Sequence, residues 1–242
     1  MRSSAKLIKL LDQKHLGSDV FSQALTHRSA SSKHNERMEF LGDSVLGLII
    51  TNALYQNMPK ASEGYLSRLR ASLVNENTLA EIANELSLGD FLRLGAGELK
   101  SGGFRRKSIL SDTLEAVIAS VYLEKGIQAA SKFVLAIYTN RLEKLPTENE
   151  LKDPKSRLQE VLQARNIDIP HYELLSVTGD AHRQVFNAEC TIEALDIITK
   201  GVSGSRRKAE QQSAQNAYEI VMQQFKKPKK SSKKPSKQSS KK

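Results

Sequence analysis

Apolar residues recur three and four positions apart through most of the first 145 positions: Leu7, Ile8 and Leu11; Phe40, Leu41, Val45, Leu48 and Ile49; Leu66, Leu69 and Leu73; Leu79, Ile82, Ala83 and Leu86; Leu114, Val117, Ile118 and Val121. This spacing gathers each set on one face of a helix, and no sustained period-two stretch interrupts it, so residues 1–146 are expected to form an all-α unit. Gly89, Gly95, Gly97, Gly102 and Gly103 crowd between two helical stretches, which reads as an irregular loop over 89–107 ending in Arg105, Arg106 and Lys107.

The rhythm changes after a polar segment at 145–154 that carries Pro146 and Pro154. We take 147–152 as a linker and 153–223 as a second, α+β unit. Its helices are expected at 155–165 and 206–224. Between them, stretches 172–177, 184–192 and 194–199 alternate or carry β-branched residues as strands do, giving the order α-β-β-β-α. The remainder, 224–242, has almost nothing apolar to bury and is expected to be disordered.

Charge changes this picture less than its total suggests. The 37 Lys and Arg against 27 Asp and Glu give a formal +10, but nine of the lysines fall in 226–242, leaving the other 225 residues at 28 against 27. Net basicity is therefore mostly a property of the tail and says little about what the body binds. An apolar content of 39% is ordinary for a soluble chain and excludes a fibre. The single cysteine, Cys190, excludes an internal disulfide framework and a multi-cysteine zinc site, and its place in a strand pattern suggests a small buried residue. The longest apolar run, 45–50, is far short of the roughly 20 residues a membrane span needs. A cytoplasmic protein without a membrane partner is expected.

Candidate chemistry lies in two acidic pairs. In a helix, Glu39 and Asp43 are four apart and share a face, and Asp112 and Glu115 are three apart at the start of another helix. On spacing alone they also fit solvated acids, or acids favoured at a helix N-terminus by its dipole. If four carboxylates converged at ~5 Å, each like-charged pair would cost about 3 kcal/mol at an effective dielectric near 20. A cation would have to sit among them, and oxygen ligands without His or Cys select Mg²⁺ or Mn²⁺ over zinc. His15, His27, His34 and His171 lack metal-ligand spacing and read as structural or solvated.

The stretches Asn35-Glu-Arg-Met-Glu-Phe-Leu-Gly-Asp-Ser-Val-Leu46 and Ser108-Ile-Leu-Ser-Asp-Thr-Leu-Glu-Ala116 closely resemble the two signature segments of the ribonuclease III family, and the likeness extends over residues 5–222. The resemblance implies a homodimeric endoribonuclease that cuts both strands of double-stranded RNA with Mg²⁺, or Mn²⁺ in its place, leaves 5′-phosphate and 3′-hydroxyl ends, and processes ribosomal, messenger and transfer RNA precursors. It implies that Glu39, Asp43, Asp112 and Glu115 hold the metal, with Asp43 and Glu115 the most critical. It also draws attention to Glu36 and Glu63 as acids lining the cleavage groove, although Glu36 also fits a partner for Arg37 or a helix cap, and Glu63 a solvated acid. Phe40, a core residue on periodicity, would sit at the subunit seam.

Residues 152–222 resemble a double-stranded RNA-binding domain. Ser156, Gln159, Glu160 and Gln163 share a helix face suited to 2′-hydroxyls; His182 lies in a turn between strands; Arg206, Arg207 and Lys208 open the last helix, where phosphates are favoured. With nine basic and ten acidic residues, this segment depends on local clustering of charge rather than its total. The family commonly carries glycine where Ser203 stands, so strain in that turn is an expectation, and lysines where Arg206 and Arg207 stand.

Overall fold

A computed structural model describes residues 5–180 and 182–226 of the chain. It divides into two compact units, the break falling between Leu151 and Lys152. Among the described residues no helix is long and apolar enough to cross a membrane.

The first unit is helical throughout: α1 (Ala5–Leu10), α2 (Gln13–Leu16), α3 (Asp19–Ala24), α4 (Glu36–Asn57), α5 (Glu63–Leu73), α6 (Glu76–Glu85), α7 (Ala96–Lys100), α8 (Lys107–Glu143) and α9 (Glu148–Leu151). Helix starts follow local chemistry. Asp12, Ser18, Ser62 and Asn75 each accept a backbone N–H two or three residues into the helix they precede, satisfying donors that would otherwise lack partners. The central pair is α4 against α8. Leu46 and Ile50 from one, and Leu114, Val117 and Ile118 from the other, are excluded from solvent in one shared core. Helix α8 is two segments joined at Gly126, whose φ of 76° and ψ of −179° interrupt the helical backbone. Glycine reaches that conformation without a Cβ penalty.

Two sequence expectations change here. The glycine-rich loop at 89–107 is not wholly irregular: it holds α7 and two short 3₁₀ turns, Leu88–Asp90 and Gly103–Arg105. The expected linker contains α9, held on the first unit where Arg68 pairs with Glu148 at 2.9 Å and Tyr65 Oη donates to Pro146 O at 2.8 Å.

His15 is fully buried, with Nδ1 against the Glu124 carboxylate and Nε2 3.0 Å from Ser120 Oγ. Ser120 Oγ also donates to Val117 O at 2.7 Å. The trio ties α2 to α8. His15→Ala should therefore lower stability by about 2–4 kcal/mol through a cavity and two stranded polar groups. Urea unfolding checks this, and a loss below about 0.5 kcal/mol, the usual size of a surface change, would refute the role.

The second unit comprises α10 (Pro154–Gln163), β1 (His171–Thr178), β2 (Val185–Ile192), β3 (Ile197–Ser203) and α11 (Arg206–Lys226). The strands form one antiparallel sheet in the order β1-β2-β3. Leu158 and Leu162 of α10 and Ala214, Ala217 and Val221 of α11 pack against Cys190, Ile192 and Ile197 of the sheet. Gly201 permits the contact of β3 with α11, because a Cβ there would stand 2.1 Å from Ala209 O.

Here too the sequence reading shifts. The third strand starts at 197 rather than 194, since residues 193–195 make a 3₁₀ turn and Asp196 adopts φ 51°. Ser203 is not strained: it lies at the end of β3 opposite Phe186, outside the residues with positive φ. Helix α11 continues through 224–226, with Arg165 over the Phe225 ring at 4.0 Å. The rest of the tail expectation, 227–242, lies outside the described residues.

Candidate active site

Where α4 and α8 cross, their main chains touch. A Cβ on Gly42 would lie 1.9 Å from the Glu115 carbonyl oxygen, so the crossing has no room for a side chain at that point. This contact sets the positions of the acidic pairs. Glu39, one turn before the crossing on α4, and Asp112 and Glu115, on the first turns of α8, each place a carboxylate oxygen within 4.8 Å of the other two. Asp43 lies outside that set. It is exposed on the flank of α4, although its charge reaches both Glu39 and Glu115. The geometry thus gathers three of the four acids most closely and leaves the fourth beside them.

The electrostatics fit a site built for a cation. Burial, then the charges of Asp43, Asp112 and Glu39, push the Glu115 carboxyl up to about 8. Burial, then Asp112 and Glu36, raise Glu39, with Arg28 opposing. Burial raises Asp112 as well, opposed first by a hydrogen bond from Ser111, whose Oγ lies 3.2 Å away, and also by the charge of His27. Three half-buried carboxylates that all resist ionisation, with oxygen as the only ligand type, could hold a divalent cation.

A pocket of about 600 Å³ opens from Glu39 and Asp112 and includes Glu36 on its wall. Glu36 pairs there with Arg28 at 3.1 Å rather than with its chain neighbour Arg37. Glu63 does not join it. It opens α5, accepts from Ser67 Oγ at 2.7 Å, and lines a separate pocket of about 470 Å³ with Thr51 and Tyr55. The first pocket also contains Glu98, Arg28 and Arg106, which the sequence reading did not single out as site residues. Only the arginine run at 105–107 gave a signal.

Phe40 does not face the core. It is 79% exposed, in a solvent-facing row along α4 with Leu48 and Tyr55. Periodicity groups it with Leu41 and Val45, but its side chain points away from α8.

In the second unit, Ser156, Gln159, Glu160 and Gln163 are all exposed on α10, which starts at Asp153 with Pro154 in its first turn. Glu160 pairs with Lys152 at 2.7 Å. His182 is exposed in the β1–β2 connection, where Gly179 takes φ 90°. Arg206, Arg207 and Lys208 are exposed on the first turn of α11, with Arg206 Nε held 2.8 Å from Glu210. Cys190 is fully buried, and burial pushes its thiol up, so it stays protonated.

Residues 18–142 match the family described as Ribonuclease-III-like, and residues 154–221 match the one described as Double-stranded RNA binding motif. A protein of Buchnera aphidicola (strain Tuc7) named Ribonuclease 3 is 53% identical over 212 residues, covering 88% of this chain and 94% of that one. A Ribonuclease 3 of Proteus mirabilis is also 53% identical, over 210 residues, covering 85% and 93%. Among solved structures, the nuclease domain of ribonuclease III from Campylobacter jejuni superposes with a TM-score of 0.54 at 40% identity, covering 60% of this chain and 100% of that one. A second structure of that domain, at 42% identity and a TM-score of 0.52, covers 57% and 99%; its title concerns flexibility in the region involved in dimer formation.

Proposed function

The chain belongs to the ribonuclease III family and is a double-stranded RNA endonuclease; on that premise we propose that it hydrolyses both strands of duplex RNA as a Mg²⁺-dependent homodimer, leaving 5′-phosphate and 3′-hydroxyl ends. The observation that carries this reading is the trio Glu39, Asp112 and Glu115, with oxygens within 4.8 Å and every carboxyl raised above its ordinary range.

Glu39, Asp43, Asp112 and Glu115 would hold the ion, with Asp43 closing the open flank of the trio. A divalent ion in such a place lowers the pKa of a water nucleophile and stabilises charge on phosphate oxygens. Water adds its oxygen to phosphorus as the bond from phosphorus to the 3′-oxygen breaks; the 3′-oxygen leaves with a proton as the hydroxyl end of the upstream fragment, and the downstream fragment keeps the phosphate on its 5′-oxygen. Glu36, on the same pocket wall, borders the path of the RNA strand. Glu63 lines the separate pocket that includes Tyr55, one of the three residues of the apolar row Phe40, Leu48 and Tyr55. We assign that apolar row to the dimer seam, where an exposed aromatic finds cover, and Glu63 to the groove completed by the second copy.

In the second unit, the exposed face of α10 and His182 suit minor-groove hydroxyls, and Arg206, Arg207 and Lys208 suit the phosphates between. We place the protein's work in the reducing cytoplasm, consistent with its single buried thiol, and its substrates among ribosomal, messenger and transfer RNA precursors.

Incubation of the full chain with duplex RNA tests this. Mg²⁺ should give staggered products, and a chelator should abolish cleavage while leaving a shifted complex in a gel. Binding with no metal-dependent cleavage would overturn the reading in favour of a non-catalytic RNA-binding protein. Removal of residues 152–242 should weaken binding most at higher salt and leave cleavage at low salt, because the phosphate contacts of the second unit are lost. A folded truncated dimer with no activity at low salt would refute that division of labour.

A further inference from the structure

The pocket beside the acidic trio carries two arginines, from two separate segments of the chain, that the chemistry above leaves without a task. Arg28 lies in the segment between α3 and α4, with Nη1 3.1 Å from Glu36 Oε1 and its side chain 70% exposed. Arg106 immediately precedes α8, with Nη1 3.1 Å from Glu98 Oε2 and its side chain 49% exposed. Ion pairs this exposed contribute little to a fold, so stability does not account for either pairing.

The walls that carry them are well anchored. Buried Asn35 donates from Nδ2 to Ala24 O at 3.3 Å and from its backbone to Thr26 O at 2.9 Å, and His27 N donates to Arg93 O at 3.0 Å. The two segments also meet directly: Gly95 N donates to Ser29 Oγ at 2.9 Å, and a Cβ on Gly95 would meet Ser29 O at 2.3 Å. Two cations on anchored segments thus stand in the lining of a pocket that also carries the acids Glu36, Glu39, Glu98 and Asp112. A polyanion approaching Glu36, Glu39, Glu98 and Asp112 is repelled unless cations meet it at the rim. Guanidinium suits that task, since its planar fork matches phosphate oxygens.

We propose that Arg28 and Arg106 bind backbone phosphates of the RNA at the rim of the acidic pocket, exchanging Glu36 and Glu98 for phosphate oxygens when the duplex enters. The assignment rests on the ribonuclease reading and names groups that position its substrate. Neither arginine supplies chemistry, so its loss acts on substrate binding rather than turnover. Arg106 also becomes a better ligand when Glu98 lets it go.

The test is steady-state cleavage of duplex RNA in Mg²⁺ by the full chain and by Arg28→Gln, Arg106→Gln, the double variant and the two Lys variants, at several salt concentrations. Each Gln substitution should raise KM about tenfold, the worth of one charge-assisted hydrogen bond, and change kcat far less. The plot of log KM against log salt should become shallower by about 0.7–0.9 for each arginine removed. The Lys variants should restore the slope but only part of the affinity, since they keep charge and lose the fork. Glu98→Gln should lower KM about threefold by freeing Arg106. Unchanged KM and slope in the Gln variants, with wild-type cleavage intact, would overturn the assignment. Wild-type chain that binds duplex without cutting it would instead overturn the ribonuclease reading beneath it. Should a Gln variant unfold, the Lys and Glu98→Gln measurements decide on their own.

Discussion

Glu115→Gln should reduce cleavage of duplex RNA by roughly three orders of magnitude or more, because the site loses a charge worth several kcal/mol at the ion and the phosphate. The same change should make the metal-free protein more stable near pH 8. Folded Glu115 gives up its proton only at about 8, where the unfolded chain does so near the ordinary 4.5. Between those values the folded state binds more protons than the unfolded one, so wild-type stability falls as pH rises through that window. The amide removes this loss. Melting in chelator should therefore show the variant above wild type at pH 8 and level with it near pH 4. Added Mg²⁺ should raise the wild type strongly and the variant little. Wild type at least as stable as the variant at pH 8 without metal would sink the account of mutual repulsion.

Gly42→Val should lower stability by about 3 kcal/mol or more, at the upper end of what overpacking costs. The obstacle is main chain: the new Cβ would lie 1.9 Å from the Glu115 carbonyl oxygen and 2.4 Å from its carbon. A flexible side chain would swing aside, but α8 can only retreat, and retreat opens the core shared with Leu46 and Ile50. Gly47, five residues further along the same helix, supplies the control. A Cβ there meets nothing within 4 Å, so Gly47→Ala should gain about 0.5–1 kcal/mol of helix propensity. Denaturant unfolding of both variants checks the pair, and a Gly42→Val protein as stable as wild type would refute the role of the contact.

Most of the helical unit was legible because its apolar residues keep one period over long stretches. Leu114, Val117, Ile118 and Val121 are all buried as their spacing predicts. Periodicity alone would have put Phe40 in the core, whereas it is exposed, since the rule identifies the apolar face of a helix but not an apolar residue beside it that remains outside. The four acids were visible as two pairs. The convergence of Glu39, Asp112 and Glu115 was not, because it depends on a glycine in one helix meeting a carbonyl in another, and a sequence does not announce which glycine is short of space. Glu98 was missed for a related reason: it sits in α7, a five-residue helix within a stretch whose glycines read as loop. The start of β3 was misplaced because Asp196 takes a left-handed conformation without being glycine.

Between the end of α9 at Leu151 and the Asp153 cap of α10 stands Lys152 alone. Once one unit has seized a duplex, so short a tether holds the other at a local concentration on the order of millimolar or above, where its geometry permits both to engage. Two grips that would each be weak in isolation then act as one long-lived hold. A longer spacer inserted at Lys152 should dilute the second grip and shorten the dwell time on RNA, with every contact residue left in place.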